Sequence, residues 1–294
     1  MTDILPKSLG AVVVTGASSG MGRACALRLS RAGYHVFAGV RKEQDARALK
    51  QQAPASLTPI FLEVTDASSI AAAATLVTET VGEAGLVGLV NCAGIGVTAP
   101  MELLPLAELR RQLEVNVVAR VAVTQAFLPL IRRAKGRIIN VGSVGGRVTI
   151  PFGGALAASL HAIEALNDAL RMELAPWGIE VCLIAPGSIR TPAVDKLVQD
   201  SEAMLKTFPP EGARRYAAAY RAFVQTFVKH EEAGAPPEAM AGVVLKALTA
   251  KSPRTRYPVG PLSRRLPLLS RVLPARVFDR VKARLFGLPQ QVEA

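Results

Sequence analysis

The sequence predicts a doubly wound α/β fold, a parallel sheet with helices on both faces, and three observations predict it. Short β-branched runs alternate with helix-period stretches through about the first 260 residues, the spacing of βαβ units with right-handed crossovers. A glycine-rich turn, Gly16 to Gly22, stands between the first such run and the first helical stretch. Half the residues are hydrophobic while only 5% are aromatic, so the core must be Ala, Val, Leu and Ile, as in a sheet buried on both faces.

The elements follow in order. Gly10 to Thr15 is a β-branched strand, and the turn after it leads into an apolar helix, Ala24 to Ala32, ended by Gly33. Tyr34 to Val40 is a second strand, Ala46 to Gln52 a second helix and Thr58 to Val64 a third strand. An Ala-rich helix covers Ala67 to Val81, and Leu86 to Asn91 is a fourth strand. One long helix is predicted over Ala107 to Arg132, then a strand at Arg137 to Val141, a helix from Gly154 to Pro176 and a strand at Glu180 to Ala185. Beyond Pro186 the pattern changes: 190–235 is polar, helical and broken at Pro209-Pro210, as a substrate lid would be. A helix at Glu238 to Thr249 and a last strand at Arg256 to Val259 complete a single domain over 1–260, with 261–294 a basic amphipathic helical extension.

The placement of the glycine turn gives it weight. Glycines that let the backbone approach a helix N-terminus make a phosphate site, and strand, turn and helix stand here in that order. The turn reads Thr15-Gly16-Ala17-Ser18-Ser19-Gly20-Met21-Gly22, spaced GxxxGxG. In this form it resembles the cofactor loop of the short-chain dehydrogenase/reductase family, and further matches follow in order over about residues 8 to 260. Asn91-Cys92-Ala93-Gly94 resembles the segment that shores up the sheet beside the cofactor; Asn116 matches the asparagine of the catalytic helix and Ser143 the catalytic serine. Pro186-Gly187-Ser188-Ile189-Arg190-Thr191 resembles the loop whose threonine touches the nicotinamide carboxamide.

The resemblance implies a Rossmann-like fold and hydride transfer between a nicotinamide cofactor and an alcohol or ketone. It implies cofactor contacts from Gly16, Ser18, Ser19, Gly20, Met21, Gly22, Asn91, Ala93, Gly94, Pro186, Gly187, Ile189 and Thr191. Glu63-Val64 stands where the family has Asp-Val beside the adenine. Arg41 follows the second strand, where a basic side chain suits the 2′-phosphate of NADP and an acidic one the ribose of NAD, so NADP(H) is expected over NAD(H). Ser19 leaves the turn without the basic residue many NADP-preferring relatives place there.

The family's tyrosine and lysine are missing. They stand four residues apart on a helix, on one face, where the tyrosine exchanges the proton and the lysine lowers its pKa and holds the nicotinamide ribose. The flanks here place Leu156 and Leu160 at those positions. The only tyrosines are Tyr34, Tyr216, Tyr220 and Tyr257, and none has a lysine four residues on. A positioned acid or base contributes roughly 10²–10⁴ in rate. His161 is five residues from Leu156, about 140° around the helix, and is expected to face away. Tyr216 and Tyr220 are expected to pack within the lid rather than catalyse.

Charge and cysteines bound the rest. The net charge is +12, but 251–294 holds ten Lys/Arg against two Asp/Glu, so +8 of it lies in the tail and no nucleic-acid partner is expected. The tail interleaves Arg264, Arg265, Arg271, Arg276 and Arg280 with Leu266, Leu268, Val272, Val277, Phe278 and Phe286, a pattern that suits packing on its own domain or contact with an anionic membrane surface. Cys25, Cys92 and Cys182 are far apart and read as reduced thiols of a cytoplasmic protein, and the three histidines do not cluster, so no metal site is expected. The N-terminus shows no signal peptide and no apolar run is expected to span a bilayer. By resemblance a homo-oligomer and a small lipophilic ligand are expected. Three functions remain open: a nicotinamide-dependent oxidoreductase using Ser143 and Asn116 with another acid, a nucleotide-binding pseudoenzyme or partner subunit, and an enzyme redirected to non-redox chemistry in the same pocket.

Overall fold

A computed structural model describes residues 9–288. Seven parallel strands form one sheet in the order β3-β2-β1-β4-β5-β6-β7. They are β1 Ala11–Val14, β2 His35–Val40, β3 Leu57–Phe61, β4 Gly88–Asn91, β5 Arg137–Val141, β6 Glu180–Pro186 and β7 Arg256–Val259. The order reverses between β1 and β4, which opens a crevice at the carboxyl ends of those two strands.

Alternation along each strand sends its side chains to two cores. Val12 and Val14 face a cluster built with α1 (Gly20–Arg31), α2 (Glu43–Lys50) and α9 (Pro237–Thr249). Val13 faces the opposite cluster, built with α3 (Ala67–Val81), α5 (Ala119–Ala134) and the end of α6 (Gly154–Leu174). Aliphatic side chains dominate both, as the poverty of aromatics requires.

Boundaries differ from the sequence pattern where polar or glycine residues complete a turn. α1 begins at Gly20, because the glycine turn itself forms the first helical turn. α2 begins at Glu43, whose carboxylate with Asp45 favours the positive helix end. Asp66 caps α3, its Oδ1 accepting from the backbone amides of Ser68 (2.8 Å) and Ser69 (3.4 Å). The single helix expected at 107–132 is instead α4 (Leu106–Leu113), a π-helical turn at Glu114–Val118 and then α5. By length and composition this continuous run, Leu106–Ala134, could cross a membrane, contrary to the expectation that none would. Its Val123, Phe127, Leu130 and Ile131 lie in the core.

After β6 the chain forms α7 (Ala193–Leu205) and α8 (Pro210–Glu232), with Pro210 at the first helical position, where its missing N–H costs nothing. The extension forms α10 (Arg265–Val272) and α11 (Ala275–Leu285). Leu266 and Phe278 bury against Val148, and Phe286 against Phe223 of α8. The extreme N-terminus read for a signal peptide, and residues 289–294, lie outside the described residues.

Candidate active site

The glycine turn is shaped by close backbone approach. Gly16 has φ +65°, and a Cβ there would stand 2.8 Å from the Ala93 Cα. A Cβ on Gly22 would stand 2.1 Å from the Gly16 carbonyl oxygen. Gly20 has φ +51°, and Thr191 crosses over it, 3.3 Å from where its Cβ would be. Ser19 precedes α1 without a side-chain cap, so the first amides of that helix are left for a ligand. Ser18 is half-buried beside them, and Met21 packs on the core below.

The neighbouring segment is tied to this turn. Thr15 Oγ1 accepts from the amides of Cys92 and Ala93, each at 3.0 Å. Asn91 is buried, its Nδ2 donating to Thr124 Oγ1 (3.0 Å) and Asn140 Oδ1 (3.1 Å). Gly94 lies against Asn116. At the end of β2, Arg41 pairs with Glu63 at 3.5 Å, a juxtaposition the separate positions in sequence did not announce. Glu63 Oε1 also accepts from the Thr65 amide and hydroxyl, while Val64 is buried. A cradle that a single methyl would fill, next to an uncapped helix N-terminus at the strand-order reversal, fits the diphosphate of a dinucleotide.

Asn116 sits in the π-helical turn and its amide is fully engaged within the protein. Its Oδ1 accepts from the Ile95 amide (2.9 Å), and its Nδ2 donates to the Ile95 carbonyl (3.0 Å) and to Ser159 Oγ (3.0 Å). Gln112, buried and not singled out from sequence, clamps the same loop through Val97 N (2.7 Å) and Ile95 O (2.8 Å). Arg120 was also missed. It is 9% exposed, its Nη1 donates to the Val141 carbonyl (2.8 Å), and burial pulls its guanidinium down to about 10.

Ser143 Oγ accepts from the Gly145 amide (3.1 Å) and donates to the Pro186 carbonyl (3.3 Å). Leu156 and Leu160 stand on α6 beside it and pack with Ile163, Leu183 and Ala185. His161 is exposed on the far side of that helix, its Nδ1 2.8 Å from the Ala157 carbonyl. Tyr220 is buried and donates to the Thr98 carbonyl (2.7 Å), and Tyr216 donates to Glu102 (2.6 Å), so both serve packing.

Ser143, Leu156 and Leu160 line one cavity with about 660 Å³ of empty space, partly open to solvent. Its walls are mainly apolar, from Val148, Ile150, Leu266 and Phe286 among others. Gly187 and Ser188, from the loop after β6, form part of its rim. Two polar side chains on α8, His230 and Glu231, complete it. Glu231 accepts from the Ile189 amide (3.2 Å), and burial raises its carboxyl against the lowering effect of the Ile189 and Ser188 hydrogen bonds. Sequence reasoning missed both residues. The available signal was the stripe Phe223, Phe227, His230 and Glu231, a single helix face that carries two titratable groups among aromatics.

The cysteines lie outside this cavity and are free thiols; burial pushes Cys92 up to about 12 and Cys182 up to about 11. Among the described residues no three His, Cys, Asp or Glu side chains cluster as a metal site would need.

Comparison with known proteins agrees with this geometry. Residues 10–202 match the family model for short chain dehydrogenase. Retinol dehydrogenase 5 of Mus musculus is 36% identical over 98% of this chain and 92% of its own length. The NADPH-dependent 3-dehydrocapnine reductase of Ornithobacterium rhinotracheale is 35% identical over 92% of this chain and 94% of its own. The crystal structure of a short-chain dehydrogenase from Streptomyces avermitilis superposes with a TM-score of 0.75 at 27% identity, covering 95% of this chain and 96% of that one.

Proposed function

The chain belongs to the short-chain dehydrogenase family, and from that premise we propose that it binds NADP(H) beside a lipophilic alcohol or ketone and transfers hydride between them without the usual tyrosine. The family's reaction is hydride transfer between a nicotinamide nucleotide and an alcohol or ketone. The observation that carries the reading for this chain is that Ser143 lines a predominantly apolar cavity together with Leu156 and Leu160.

Each residue has a part in this reading. The amides around Gly20 and Gly22 hold the diphosphate, and Val64 and Ala93 flank the adenine half. Arg41 turns from Glu63 to the 2′-phosphate, which favours NADP(H), the cofactor form named in one relative. Thr191 and the Gly187 loop close over the nicotinamide. When bound, that ring gives or takes the hydride. Ser143 Oγ holds the substrate oxygen, whereas Asn116 holds the loop at Ile95 and so orders the cavity wall. Leu156 and Leu160 offer no proton and no hydrogen bond to the ribose, which narrows the site to substrates held by apolar contact. A retinoid-like chain suits such walls, and the retinol dehydrogenase relative supports that class.

The same reading takes the protein as a cytoplasmic homo-oligomer whose tail touches membrane surfaces peripherally. A nucleotide-binding pseudoenzyme is the second reading, favoured by the two leucines alone.

Calorimetry with NADPH and NADH, followed by turnover of all-trans-retinal, decanal and acetone, tests the proposal. NADPH binding and slow reduction of the two long aldehydes, with acetone inert, are expected. No nucleotide binding would defeat both readings. If the parent is inert and only Leu156→Tyr with Leu160→Lys turns over, the pseudoenzyme reading holds.

A further inference from the structure

Phe227, His230 and Glu231 fall at i, i+3 and i+4 on α8 and so share the face that borders the Ser143 cavity. Among the described residues, His230 and Glu231 are the two titratable side chains in that lining. Their environments differ. Glu231 is tied to the loop after β6, through the Ile189 amide at 3.2 Å and through Ser188. The ring of His230 instead meets Phe286 edge-on at 5.7 Å, and its Nδ1 is buried with no hydrogen-bond partner among the described residues. Folds rarely leave a buried ring nitrogen unsatisfied, and such a group calls for an explanation outside packing.

Resting on the hydride-transfer reading above, we propose that His230 is the proton donor and acceptor of this site, in the part for which Leu156 and Leu160 have no polar atom. In reduction, the carbonyl carbon takes hydride, two electrons and a proton, from the reduced nicotinamide that the family reaction supplies. The C=O π pair moves to oxygen, and oxygen takes the ring N–H proton of His230, giving the alcohol, oxidised nicotinamide and neutral imidazole. A proton from bulk solvent then restores the ring, so that each turnover consumes one proton. Oxidation runs the same steps backwards, with neutral His230 taking the hydroxyl proton. Imidazole suits this exchange because it changes charge near neutral pH, which a serine hydroxyl does not.

The tail and the lid follow from the assignment. Phe286 fixes the ring plane, so the C-terminal extension is part of the active site. Glu231 is a positioning residue, holding α8 to the loop at Ser188 and Ile189. Phe286, beyond α11, meets the ring, and Phe227 of α8 and Leu266 of α10 add apolar surface to the same cavity.

The test uses full-length His230→Gln and His230→Asn with NADPH and all-trans-retinal or decanal. The expected result is a kcat lower by roughly 10²–10⁴, with the NADPH Kd within about twofold. A second readout needs no cofactor: adding decanal to nucleotide-free protein shifts the ring ¹⁵N signals of one histidine, and that signal is missing in both variants. Retained NADPH affinity shows that the variants fold, and Leu156→Tyr with Leu160→Lys, added to His230→Gln, restores turnover. If either variant keeps its parent's kcat, or no histidine signal moves, the assignment is overturned while hydride transfer stands. If the parent binds NADPH and reduces neither aldehyde, it is hydride transfer that fails, and the assignment falls with it.

Discussion

A methyl group on residue 22 would stand 2.1 Å from the Gly16 carbonyl oxygen, well inside van der Waals contact with backbone that cannot move aside. Gly22→Ala is therefore expected to spread the phosphate turn, costing about 1–3 kcal/mol of stability as overpacking does and removing NADPH binding. Thermal denaturation and calorimetry on the same sample check both halves. Arg41 makes a different prediction because it is exposed and its Glu63 partner is 3.5 Å away. Arg41→Ala should leave stability and NADH binding unchanged while NADPH affinity falls about tenfold, the worth of one charge-assisted contact. Equal losses for the two nucleotides would sink the 2′-phosphate assignment. At this scale the sequence was informative wherever a motif fixed the register: the flanks of Leu156 and Leu160 were enough to number them. His230 and Glu231 had no such flanks. Periodicity puts them on one face of α8, but only the docking of that helix says which cavity the face borders.

Arg256 joins the last strand to the helix that carries the two leucines. It donates to Glu164 Oε2 of α6 at 2.7 Å and to Asp168 Oδ2 at 2.7 Å, and Arg147 approaches Glu164 at 3.5 Å. The Arg256 hydrogen bond is the main force holding the Asp168 carboxyl below its ordinary value, against some desolvation. The sign follows directly. A carboxyl depressed in the folded state adds stability above its unfolded pKa of about 3.9, and that stability is lost as pH falls through the folded value. Arg256→Ala is expected to lose about 1–3 kcal/mol at neutral pH, by removing the hydrogen bonds to Glu164 Oε2 and Asp168 Oδ2 and leaving Glu164 with the longer Arg147 pair alone, and less in acid. Urea unfolding at both pH values checks it; a loss that stays constant into acid would mean the ion pair is not the source. The run from 107 to 132 has helical apolar spacing throughout, so one helix was the expectation. The π-helical turn at Glu114–Val118 changes hydrogen-bond partners without changing composition, and it is what brings Asn116 round to Ile95.

The whole molecule was legible as a doubly wound sheet because strand and helix periods, turn chemistry and an aliphatic core all agreed. The tail was not, since a basic amphipathic segment suits either its own domain or a membrane, and composition cannot choose. The structure buries one part of the tail and leaves another exposed. Leu266, Phe278 and Phe286 are buried, while Leu268 and Val272 of α10 are 61% and 66% exposed. Arg264, Leu268, Arg271 and Val272 fall at i, i+4, i+7 and i+8, so the exposed apolar pair shares a face with two arginines. Charge acts with that face, because +8 of the net +12 lies after residue 250. Near an anionic leaflet each such cation contributes about 1 kcal/mol, and the effect decays within a Debye length. The protein is therefore expected to sediment with vesicles rich in phosphatidylserine at low salt, to be released at high salt, and to ignore phosphatidylcholine. Leu268→Glu with Val272→Glu should abolish the binding while NADPH affinity and the melting temperature stay put, since neither side chain is buried. Binding that persists in high salt, or that survives the double substitution, would show that α10 is not the contact. A tail that lines the cavity with Phe286 and meets a membrane with α10 would draw its lipophilic substrate from the surface it rests on.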